Sequence, residues 1–113
     1  MNKIAIKIIP DNKLNKYLVP LRKYTILSIS EILNKIENRE VFVETDANDI
    51  DELERLKELV NNLINLGGKV KIIYRRGNDQ YQEISQKEFY NTINHLKEIA
   101  EQLQDYDDAV SEE

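Results

Sequence analysis

The sequence predicts an α+β domain, with helices packed on a small, mostly antiparallel sheet, and three observations predict it. Short β-branched runs alternate with longer segments whose apolar residues recur at helical spacing. Three helical segments open on a serine or aspartate with a glutamate three residues on, the spacing of a capping box: Ser28 with Glu31, Asp49 with Glu52, and Ser85 with Glu88. The glycines, Gly67, Gly68 and Gly77, fall between segments and not inside them. The resulting order is β-α-α-β-α-β-β-α. At 113 residues the chain has the size of one domain. Residues 1–106 are expected to form it, with 107–113 as an acidic tail that frays.

Lys3 to Ile9 alternates as a strand, with Ile4, Ile6 and Ile8 on one face, and Pro10 ends it. Leu14 to Tyr24 reads as a helix that is irregular near Pro20, the competing reading being a short turn over Leu14–Val19. Ser28 opens a second helix carrying Ile29, Ile32, Leu33 and Ile36, so Thr25 to Leu27 is the corner between two helices. Val41 to Thr45 is a strand with Phe42 opposite Val41 and Val43. The next helix starts at Asn48 or Asp49. Its stripe is Ile50, Leu53, Leu56, Val60, Leu63 and Ile64, and Gly67-Gly68 ends it with one glycine in the left-handed position. Lys69 to Arg76 is a strand with Val70, Ile72 and Tyr74 on one face. Gly77 to Asp79 is a hairpin turn leading to a fourth strand at Gln80–Ile84. The last helix is capped at Ser85 and lined by Phe89, Ile93, Leu96, Ala100 and Leu103.

Composition narrows the function classes. There is no cysteine and one histidine, His95, so neither disulfides nor thiol chemistry are available, and a zinc site would need mostly carboxylates. No stretch resembles a signal peptide or a membrane span, so a cytoplasmic protein is expected. The net charge of −5 is unevenly placed: +5 over residues 1–35, −4 over 36–94 and −6 over 95–113. The basic third can meet an acidic partner, whereas the acidic end weighs against general nucleic-acid affinity. The Asn-, Lys- and Ile-rich composition suggests an AT-rich genome, bacterial or phage.

The stretch from Leu14 to Tyr74 resembles the C-terminal domain of bacterial ribosomal stalk protein L7/L12. Arg22, Thr25, Leu27, Ile29, Glu31 and Ile36 fall in register with that family's helical corner, and "ELVNNLINLGGKVKI" matches its late helix and following strand. The resemblance covers about half the chain and implies the β-α-α-β-α-β core. It also implies contact with translational GTPases through the corner. The family's two corner glycines are Ile26 and Ser28 here, and its first-helix lysine falls on Val19. The hairpin and helix from Gly77 onward have no counterpart.

No nucleophile-base, metal-ligand or cofactor-loop pattern is present, so no enzyme, cofactor or metal is expected. The acidic cluster Asp46, Asp49, Asp51 and Glu52 lacks the central glycine of a calcium loop and is read as helix capping. The leading expectation is a protein-binding module: a small adaptor, inhibitor or accessory protein. A ribosome- or translation-factor-associated protein and a weak nucleic-acid binder are the alternatives. The candidate contact residues are Lys16, Val19, Arg22, Lys23, Ile26 and Ser28. Arg75 and Arg76 are added as a tandem able to grip a carboxylate or phosphate. Solvated helix charges and a charge-balanced strand end are the ordinary readings of the same residues. The six tyrosines suit either an interface or the core boundary. The expected partner is a protein with an acidic surface, or a second copy of the chain.

Overall fold

The computed structural model describes residues 2–12 and 14–111, with side chains as far as residue 102. Its centre is β1 (Lys3–Ile9), which pairs antiparallel with β2 (Val43–Asp46) on one side and β3 (Lys69–Arg75) on the other. β4 (Gln82–Ile84) adds antiparallel to β3, so the sheet order is β2-β1-β3-β4. The architecture is α+β with an antiparallel sheet. Ile4, Ile6, Ile8 and Ile72 bury their side chains in one cluster with residues from α1 (Leu14–Tyr24), α2 (Ile29–Glu37), α3 (Ile50–Asn65) and α4 (Gln86–Ser111). All four helices therefore cover the same face of the sheet. Each large apolar side chain fully buried there contributes about 1.5–3 kcal/mol.

The helix ends follow local chemistry. Ser28 Oγ accepts from Glu31 N at 3.2 Å, and Asp49 Oδ1 from Glu52 N at 3.1 Å. At α4 the box is reciprocal: Glu88 N donates to Ser85 Oγ at 3.0 Å, and Ser85 N to Glu88 Oε1 at 3.2 Å. α3 ends in a Schellman arrangement. Gly68 N donates to Leu63 O and Gly67 N to Ile64 O, both at 2.9 Å, with Gly67 at φ +89°. The corner is present as expected. Thr25 makes it, with N and Oγ1 donating to Leu21 O at 3.0 and 3.2 Å while Oγ1 accepts from Leu27 N at 3.3 Å. α1 runs through Pro20 without interruption.

Several expectations shift. The buried arc of α3 is centred on Leu56 and Leu63, which brings Leu59 inside and leaves Ile64 exposed at the rim. β2 begins at Val43, and Phe42 just before it donates its N–H to Ile6 O at 2.8 Å. Phe42 is buried in the core and Val43 packs against the same core, so the expected alternation does not hold there. β4 begins at Gln82, two residues later than the composition suggested. α4 continues to Ser111, past Tyr106, because nothing in Asp107–Ser111 is a helix breaker. The stripe residue Ala100 is exposed, and Leu103 lies outside the described side chains. α4 is clasped to α3 by a Lys97–Glu54 ion pair, by the Tyr90 hydroxyl donating to Asn61 Oδ1, and by Lys57 Nζ 4.9 Å from the Tyr90 ring centroid.

Tyr17 ties the loop after β1 to α1. Its ring is buried, and its hydroxyl donates to Asp11 Oδ2 at 2.5 Å. That hydrogen bond, with burial and the negative charge of Asp11 adding to it, pushes the phenol up to about 12. An unfolded tyrosine titrates near 10. The folded state therefore holds the proton more tightly, and this stabilisation is complete below pH ~10 and lost as pH rises through ~12. Alkaline melts should show a loss of stability in that window that is smaller in Tyr17→Phe.

Candidate protein-binding groove

α1 presents its cationic residues on the side away from the sheet. Tyr17 and Leu21 point inward, which leaves Lys16, Val19, Arg22 and Lys23 exposed. Val19 is 63% exposed and Ile26, at the corner, fully so. Val19 and Lys23 form one wall of a groove of about 510 Å³ between α1 and α3. Pro20 and Tyr24 continue that wall, and Arg55, Glu58, Leu59 and Leu66 of α3 and its C-terminus form the other. The walls are joined by a cation–π contact, with the Arg55 guanidinium 5.1 Å from the Tyr24 ring centroid. Arg55 also pairs with Glu52 at 3.3 Å, so its head group is held from two sides. Burial pushes the Tyr24 hydroxyl above its ordinary range, with a smaller opposing contribution from its hydrogen bond to Thr45.

The structure brings Val19 and Lys23 together and sets the other candidates around them. Lys16 and Arg22 lie on the same helix outside the groove lining. Ser28 is occupied as the cap of α2. Arg75 and Arg76 are at the end of β3, and the tandem does not act as a unit. Arg75 pairs with Glu44 at 3.6 Å and lies 5.0 Å from the Tyr81 ring centroid, whereas Arg76 is exposed. The Tyr81 hydroxyl in turn donates to Glu44. This group crosses the sheet face opposite the helices, from the chain before β4 to β2, above Ala5 and Ile73, which are both buried.

The α3 wall was missed by sequence reasoning. Arg55, Glu58 and Leu66 carry no local mark, and only the docking of α3 beside α1 gives them a role. His95 lines a separate recess with Tyr74 and Thr92, and no hydrogen bond joins these three side chains among the described residues. No helix among the described residues is long and apolar enough to cross a membrane. No family model, curated protein or solved structure matches the chain.

Proposed function

We propose that the protein is a non-enzymatic protein-binding module, a cytoplasmic adaptor, inhibitor or accessory protein of bacterial or phage origin, whose partner is another protein with an acidic surface. The observation that supports this is the α1–α3 groove. It sets the exposed Val19 and Leu66 beside the cations Lys23 and Arg55, with Lys16 and Arg22 nearby on α1. Apolar contact area supplies affinity, and the surrounding cations steer an acidic partner and select for it. Ser28 contributes only by fixing the corner, and Arg75 and Arg76 lie outside this surface.

The partner is to be identified by affinity capture from the native host, followed by measured binding. Replacing Arg22 and Lys23 together by glutamate should then weaken binding by about tenfold and flatten its salt dependence, because charges at the rim of an interface act mainly on association rate. Both side chains are exposed, so the melting temperature should hardly move. An unchanged affinity would discard the surface.

A second reading is contact with a translation factor or ribosome through the corner. Its support is the resemblance to the stalk-protein domain together with the fully exposed Ile26 between α1 and α2. Co-purification with ribosomes that is lost in Ile26→Ser would favour it.

A further inference from the structure

The face of the sheet opposite the helices sorts its charges by strand. The two central strands contribute only cations there: Lys3 and Lys7 from β1, Lys69, Lys71 and Arg75 from β3. The two outer strands contribute only carboxylates: Glu44 and Asp46 from β2, Glu83 from β4. Lys7 and Lys71 are direct cross-strand partners, and like charges so placed are destabilising. Arg75 is neutralised by Glu44, but Lys3, Lys7, Lys69 and Lys71 make no ion pair among the described residues. β2 reaches only as far as Ile6 along β1, and β4 only as far as Ile72 along β3, so the end carrying Lys7, Lys69 and Lys71 has no acidic neighbour strand.

We propose that this stripe binds single-stranded nucleic acid through its phosphates. Two arguments select that occupant. The end of the face that carries Lys7, Lys69 and Lys71 has no apolar anchor: Ile73 is buried and Ile9 half-buried, and the Tyr81 ring lies with Arg75 and Glu44. An acidic protein held there by exposed ion pairs alone would gain little, since each contributes about 0–1 kcal/mol. A phosphodiester strand gains from counterion release at every cation it neutralises and needs no anchor. The stripe is also only two strands wide, about 5 Å between backbones, with carboxylates on both sides. A duplex, with grooves of about 6 and 12 Å between its backbones, would lay phosphates over Glu44 and Asp46 or over Glu83.

The test is fluorescence anisotropy with a labelled oligothymidylate titrated with the whole chain. Binding is expected at low salt, with log affinity falling against log salt at a slope of about −2, the value for three phosphates neutralised on a single strand. Lys71→Glu should weaken it by roughly tenfold or more. The same change sets a glutamate opposite Lys7, so this variant should melt no lower than the parent, which separates lost binding from lost fold. Lys87→Glu, on the helical side, should bind as the parent does. The proposal is overturned if the parent does not bind at low salt, or if Lys71→Glu binds equally well. It is also overturned if a duplex of the same length binds more tightly than the single strand. Displacement of the oligonucleotide by oligoglutamate at equal charge would assign the stripe to an acidic protein instead.

Discussion

Replacing Phe89 by alanine should destabilise the domain by about 3–5 kcal/mol, the range for deleting a fully buried aromatic ring. Phe89 has no exposed surface, sits in the cluster with Ile4 and Leu56, and packs against Tyr90 with ring centroids 5.8 Å apart. It occupies the first turn of α4, where Ser85 and Glu88 fix the direction of the helix, so its neighbours cannot close over the space it leaves. Domains of this kind have total stabilities of about 5–15 kcal/mol, so the loss is a large part of the whole. Urea unfolding of the variant measures it. A shift below about 1 kcal/mol would mean that α4 is not a structural part of the core. Ending the chain after Ile84 removes Phe89, Ile93 and Leu96 together and should have the greater effect.

The second large effect is expected at Gly68. A Cβ there would lie 2.9 Å from Leu63 O and 3.1 Å from the Tyr17 ring. Neither neighbour can retreat easily. Leu63 O accepts the Gly68 N–H that closes α3, and the Tyr17 ring is buried and anchored at Asp11. Gly68→Ala should therefore cost about 1–3 kcal/mol, as overpacking does elsewhere. Gly67 fails for the opposite reason. Nothing lies within 4 Å of its would-be Cβ, but its φ of +89° is strained for any residue with a side chain. Calorimetry of both alanine variants would compare the two mechanisms. Relief by a smaller residue at position 17 is expected only for Gly68→Ala.

The chain's local chemistry is written plainly in its sequence. Ser28, Asp49, Ser85 and the Gly67-Gly68 pair mark helix ends because caps act within a few residues, and the structure uses each of them. The corner at Thr25 is legible for the same reason. Packing direction is less so. Leu59 and Ile64 are chemically similar, and only the position of α1, α4 and the sheet around α3 decides which is buried. The candidate site divides along the same line. Lys23 stands out because charge concentrates on α1, and Val19 because the resembled family has its first-helix lysine there, but Arg55 enters the groove through a contact with Tyr24 between residues far apart in sequence. Arg75 likewise reads as a free cation until Glu44 and Tyr81 are brought to it across the sheet.

The central position of β1 also governs how the chain can fold. β1 is the earliest element, yet its partners are Val43–Asp46 and, over its whole length, Lys69–Arg75. Such distant pairings must close long loops before they are rewarded, which slows folding relative to a helical bundle of this size. During synthesis at about 5–20 residues per second, an isoleucine-rich strand waits on the order of 3–13 s for its main partner to be made. Lys7 interrupts the run Ile4–Ile9, and a charge so placed is the kind that limits pairing of an apolar strand with other chains. In the folded sheet the same lysine stands directly across from Lys71, so a charge suited to that delay meets a like charge once the strands pair.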